Sequence, residues 1–133
     1  MAQMDDKLCL DTDFLVNFLR NKETEVKFIL EHENKSILAT TFINLFELYY
    51  GAYKSGRSEN VKRIEELQHK IRVLNLSKEA VRQAGQILAE LEKKGAPIDF
   101  RDLLIGSIAQ IEGFCIKTNN VKHFDKIPDL SIK

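Results

Sequence analysis

Four acids and one amide stand where apolar runs or loops give way to helical patterns: Asp11, Asp13, Glu47, Asp102 and Asn120. Asp11 closes the run Lys7-Leu8-Cys9-Leu10, and Asn119-Asn120 closes the run Phe114-Cys115-Ile116-Lys117-Thr118. Glu47 and Asp102 fall in the early turns of helical segments that follow loops. Carboxylates gathered at one edge repel by about 4 kcal/mol per pair at about 4 Å under an effective dielectric of about 20, so such a cluster needs protons or a cation. Oxygen-only donors favour Mg²⁺ or Mn²⁺. Zinc is disfavoured, because His32, His69 and His123 are scattered and neither Cys9 nor Cys115 has CxxC spacing. An ion held by carboxylates polarises a phosphoryl oxygen and lowers the pKa of an attacking water, which is chemistry for opening a phosphodiester without a protein nucleophile.

Each acid also has a plainer reading. An Asp before or early in a helix caps it or complements its dipole, and Asp99-x-x-Asp102 fits that pattern. Taken singly, Asp11 and Asp102 suit that role better than a ligand's. Glu47 lies beside an apolar helical face and needs a partner, which a lysine supplies as well as an ion.

The elements that must position these groups alternate. After the first short strand, Phe14, Leu15, Phe18 and Leu19 recur at helical spacing, and a second helical segment runs from Glu23 to Glu31. Ser36-Ile37-Leu38-Ala39-Thr40 reads as the next strand, with Thr41 as N-cap of a helix whose apolar face is Leu45, Leu48, Tyr49 and Ala52. Asn44, Glu47 and Gly51 align on the neighbouring face. Val61, Ile64, Leu67 and Ile71 mark another helix, Arg72-Val73-Leu74-Asn75-Leu76 a strand, and Ser77 caps a helix running to Lys94 that ends at Gly95 and Pro97. Asp99 precedes a very apolar helix closed near Gly113, and the strand Phe114–Thr118 follows. Strand–helix alternation predicts an α/β fold with a parallel sheet covered by helices on both faces, and ligands at the carboxyl ends of its strands.

Length and charge bound the function. At 133 residues, 44% of them hydrophobic, the chain is expected to form a single domain over 1–133 with no room for a second. Twenty basic residues balance twenty acidic ones, so a polyanion must be met locally and not by net charge. Lys54, Arg57, Lys62, Arg63, Lys70 and Arg72 form one modest basic stretch, whose plainer reading is a solvated helix face. Both cysteines sit in apolar runs and read as core thiols in a reducing compartment. Asp5 and Asp6 come before any leader-like apolar region, and no stretch approaches about 18 apolar residues, so the expectation is a cytoplasmic protein with no membrane partner.

Four spaced segments resemble the PIN-domain family, and especially its VapC-like toxins, across nearly the whole chain. Leu10-Asp11-Thr12-Asp13-Phe14-Leu15 is similar to the family's LDTNxL, and Glu47-Leu48-Tyr49-Tyr50-Gly51 to its ELxxG. Gly95 to Ala109 resembles GxxIxxxDxxIAAxA, and Thr118 to Phe124 resembles TxNxxHF. The resemblance implies a PIN-like three-layer α/β/α sandwich with a central, mainly parallel sheet. It implies an endoribonuclease with Asp11, Glu47 and Asp102 holding Mg²⁺ or Mn²⁺, Asp13 supplementing them and Asn120 supporting catalysis. Asn120 stands where many PIN nucleases have a fourth acid, so one resident ion is expected. Thr12 orients a carboxylate or phosphate in this reading, and the basic stretch from Lys54 guides RNA. A homodimer and a cognate antitoxin protein are the implied partners.

Two other readings are weighed. A PIN-like domain that has lost catalysis would serve as an RNA- or protein-binding scaffold, a case the missing fourth acid favours. A receiver-like signalling domain would need a strand-end Asp in mid-chain, and Asn75-Leu76-Ser77 supplies none.

Overall fold

The computed structural model describes residues 6–133, so Asp5 and the expectation placed on it lie outside the described residues. The chain order is β1 (Asp6–Leu10), α1 (Thr12–Leu19), α2 (Glu23–His32), β2 (Ser36–Thr41), α3 (Phe42–Ser55), α4 (Ser58–Leu67), β3 (Arg72–Leu74), α5 (Lys78–Lys93), α6 (Phe100–Ile111) and β4 (Cys115–Lys117), then a 3₁₀ turn, Val121–His123. The four strands are all parallel in the order β3-β2-β1-β4.

Strand β1 is central, and its period of two divides the core. Leu8 and Leu10, with Leu38 of β2, face a layer holding Phe14, Leu15, Ile29, Leu48, Ala52, Ile64 and Leu67 from α1 to α4. Cys9, with Ala39 and Ile116, faces the opposite layer, built from Ala84, Ile87 and Leu91 of α5 and Leu103, Ile105 and Ile108 of α6. Burial on both faces explains why β1 reads as a continuous apolar run. The result is the three-layer α/β/α sandwich. Among the described residues no helix is long and apolar enough to cross a membrane.

The topology creates a crevice. The chain steps from β1 outward to β2 and β3, then returns across the sheet to place β4 on the other side of β1. The connections leaving β1 and β4 therefore diverge at the carboxyl edge, the switch point at which open α/β sheets bind ligands. Register puts Leu10 beside Lys117, and Cys9 beside Ala39. Asp11, Thr41 and Thr118 consequently emerge at the same edge.

Two strands are shorter than their sequence runs. Phe114 donates its N–H to the carbonyl of Ala109 at 2.8 Å and so completes the end of α6 before β4 begins. On the outer side of β4, Ile116 forms a parallel bridge to Ile132, so the C-terminal segment covers what would otherwise be an open sheet edge. Of the two cysteines only Cys9 is a fully buried core thiol, with its pKa pushed far up by burial. Cys115 is half-buried and packs at the margin of the opposite core layer, so the expectation of two core residues holds in full for Cys9 and in part for Cys115.

Candidate active site

Asp11 occupies the N-cap position of α1 but makes no cap hydrogen bond with its side chain. Its carboxylate turns inward: Oδ2 accepts from the Thr118 hydroxyl at 2.8 Å and Oδ1 from the Asn44 amide at 3.2 Å. At 8% exposure it counts among the buried charged residues. Burial pushes its pKa up, the Thr118 and Asn44 hydrogen bonds oppose this, and the nearby charge of Asp13 adds to the rise.

Asp102 sits in the first turn of α6, and the cap there belongs to Asp99, whose Oδ1 accepts from the backbone N–H of Arg101 at 2.8 Å and of Asp102 at 3.4 Å. Asp99 takes the capping role that the sequence left open for either acid. The Asp102 carboxyl is pushed up to about 6, first by burial and further by the charges of Asp99 and Asp11, with His123 and Arg101 opposing. Nδ1 of His123 lies 3.7 Å from its Oδ2.

Glu47 finds two partners. The Thr12 hydroxyl donates to Oε1 at 2.6 Å and the Arg101 guanidinium to Oε2 at 3.0 Å. The partner demanded by its position is thus an arginine 54 residues away, together with the hydroxyl of the first residue of α1. Asp13 is exposed at the cleft rim and accepts from the side-chain amide of Asn120. The backbone N–H of Asn120 is in turn held by the Thr118 hydroxyl at 2.9 Å.

An open cleft of about 400 Å³ unites these groups, with Asp11, Thr12, Asp13, Glu47, Asp99 and Asp102 among its walls. Asn120 is not among them and reaches the cleft only through Asp13. The basic side chains in the cleft wall are Arg101, Lys122, His123 and Lys126, and Lys126 is anchored on the Pro97 carbonyl. None of the six basic residues from Lys54 to Arg72 lines this cleft, although Arg63 lines an adjoining pocket that shares Glu47 with it. Arg101 lies inside the Gly95–Ala109 segment at a position its motif leaves open, and its contact with Glu47 depends on how α6 meets α3. Lys122 and His123 lie inside the TxNxxHF-like segment, where His123 takes the motif's histidine position and Lys122 an open one.

The donor set suits a hard divalent cation. Asp11 and Asp102 are carboxylates drawn out of water, with only neutral donors on Asp11 and His123 at 3.7 Å from Asp102, and carboxylate oxygens are the donors that a hard divalent cation takes. As arranged, however, no three Asp, Glu, His or Cys among the described residues converge closely enough to enclose an ion. Glu47 lines the same cleft, with Oε1 held by Thr12 and Oε2 by Arg101.

A three-layer sandwich with desolvated acids at the switch point of a parallel sheet defines a class, and residues 8–130 match the PIN domain: the chain belongs to the PIN-domain family. Within it the chain is VapC-like. It is 35% identical over 130 residues to the tRNA(fMet)-specific endonuclease VapC of Salmonella typhimurium, covering 96% of each protein. It is 30% identical over 122 residues to ribonuclease VapC2 of Haemophilus influenzae, covering 91% of this chain and 92% of that protein. Among solved structures, VapBC2 from Rickettsia felis bound to a DNA fragment from its promoter superposes with a TM-score of 0.87 at 28% identity, over 95% of this chain and 96% of that one. DNA-bound VapBC from Salmonella typhimurium superposes with a TM-score of 0.86 at 32% identity, over 96% and 97%.

Proposed function

We propose that this chain is a divalent-metal-dependent endoribonuclease that hydrolyses RNA phosphodiester bonds, and the toxin half of a toxin–antitoxin pair acting in the cytoplasm. The observation that carries the reading is the pairing of Asp11 and Asp102 in one cleft at the switch point. Their burial leaves negative charge that a hard cation balances. Asp11, Asp102 and Glu47 are the proposed ligands of one Mg²⁺ or Mn²⁺, with Asp13 at the rim supplementing them and Asn120 holding Asp13. When bound, such an ion supplies Lewis acidity and a water acidic enough to attack phosphorus near neutral pH.

The protein's own groups do the rest. Thr118 and Asn44 fix the two oxygens of Asp11. Arg101, Lys122 and Lys126 offer cationic donors on the cleft wall, suited to gripping the RNA phosphates on either side of the scissile bond. Likeness to VapC chains from VapBC complexes supports an antitoxin protein as partner. A homodimer is proposed as well, supported by Phe42, Phe46, Tyr50 and Tyr53, which form an exposed aromatic row along α3.

The test is cleavage of a labelled RNA panel by purified, antitoxin-free protein in Mg²⁺, Mn²⁺ or EDTA, alongside Asp11→Asn and Asp102→Asn. The expected result is cleavage that needs the metal and falls by two or more orders of magnitude, roughly, in each variant. Cutting in EDTA, or equal cutting by the variants, rejects the mechanism. RNA binding without cutting by folded, metal-loaded protein supports the scaffold reading, which the neutral Asn120 and the Arg101-bound Glu47 favour.

A further inference from the structure

Asn44 is fully buried, yet it carries a carboxamide, and each of its polar groups is satisfied. Its Oδ1 accepts from the backbone N–H of Thr41 at 3.2 Å and from the Thr41 hydroxyl at 2.7 Å. A backbone N–H only donates, so the oxygen of the amide must face Thr41 and its NH₂ must face the other way. That NH₂ donates to Oδ1 of Asp11 at 3.2 Å and to Oγ1 of Thr12 at 2.9 Å. The Thr12 hydroxyl accepts there, which leaves its single proton for Glu47 Oε1 at 2.6 Å. A chain of fixed polarity therefore runs from the end of β2 to both acids: to Asp11 directly, and to Glu47 through one hydroxyl.

We propose that Asn44 is a positioning residue for the metal site, and that its task is to donate from one buried NH₂ so that Asp11 and Glu47 are held in register for a shared cation. The proposal rests on the functional reading above. It separates donor polarity from shape. Asn44→Asp keeps the outline of the side chain but sets an acceptor against Asp11, and it draws the Thr12 proton away from Glu47. Thr12→Val cuts only the second arm, on a half-buried residue at the cleft wall, and so decides the question if Asn44→Asp does not fold. Thr12→Ser keeps the hydroxyl and should restore most of what Thr12→Val loses.

The experiment is calorimetric titration of the wild-type protein and these variants with Mn²⁺, with thermal unfolding as a fold control and RNA cleavage measured in parallel. Asn44→Asp and Thr12→Val are expected to weaken Mn²⁺ binding by about 10–100-fold, the range for groups that orient metal ligands. They should lower kcat with little change in KM, because the basic groups of the cleft wall are untouched. Folded variants that bind Mn²⁺ as tightly as the wild type overturn this inference alone. A wild-type protein that neither binds Mn²⁺ nor cleaves RNA with it overturns the functional reading, and this inference with it.

Discussion

Two carboxylates kept from water without a full set of cations make the ion-free protein respond to pH in an uncommon direction. Asp102 has a folded-state pKa of about 6, above the ordinary 3.8, so between those values the folded chain binds the extra proton. Stability from this group is therefore present at low pH and lost as pH rises through about 6. The raised pKa of Asp11 acts in the same sense. In EDTA, the Tm contribution from these groups should rise as pH falls from about 7.5 to about 5.5, whereas saturating Mg²⁺, which favours the ionised forms, should reverse the trend. Calorimetry in both conditions checks this, and parallel curves with and without Mg²⁺ would count against the two acids as ligands. Another residue tests the packing. Ser107 is fully buried on α6 and its hydroxyl has no partner among the described residues. Ser107→Ala should stabilise the fold by about 1 kcal/mol in denaturant unfolding, since an orphaned buried hydroxyl costs that order of energy. A loss of stability would mean that the hydroxyl is engaged.

At the scale of the element, caps decide where each site residue sits. Thr41, Ser77 and Asp99 were readable as N-caps, since each is a short polar residue immediately before an apolar-periodic segment, and all three accept backbone N–H groups in the structure. Their consequences differ. Ser77 caps α5, which lends no side chain to the cleft, whereas Asp99 caps the turn that carries Arg101 and Asp102. Ser77→Ala and Asp99→Ala should each cost about 1 kcal/mol of stability. Only Asp99→Ala should also weaken Mn²⁺ binding, because it loosens the turn that aims Asp102. Equal Mn²⁺ affinities in the two variants would show that the cap does not aim the ligand. The shortened strands mark where local pattern stopped being informative. Phe114 is as apolar as any strand residue, but α6 needs its N–H to end.

For the whole molecule, the aromatic row on α3 is the feature a lone chain does not explain. Phe42, Phe46, Tyr50 and Tyr53 are 40%, 67%, 59% and 69% exposed, at spacings that put them on one helical face. Burying one such ring contributes about 1.5–3 kcal/mol, and a two-fold contact that covers the rows of both protomers gains more than the roughly 8 kcal/mol of a micromolar Kd, the surplus offsetting the cost of association. Sedimentation should find the wild-type protein dimeric at about 10 µM, a concentration above the Kd such burial supports, and Phe46→Glu/Tyr50→Glu monomeric. A wild-type monomer at that concentration would remove the dimer from the proposal.

By itself the sequence determined the α/β alternation, the parallel sheet, the caps and the acids that reach its carboxyl edge. Those properties follow from periodicity and from polar residues at the ends of apolar runs, all within a few residues of one another. The family resemblance was legible for the same reason, as four local motifs in order. The tertiary structure alone decided which groups meet. Asp11 is held by Asn44 and Thr118, Glu47 by Arg101 and Thr12, and Asp102 stands by His123, across as many as 107 residues of chain. It also brought Arg101, Lys122 and Lys126 to the cleft wall. Hydrogen bonds and burial depend on distances of a few ångströms between separate elements, and those are set by how helices cross the sheet, which no local spacing encodes.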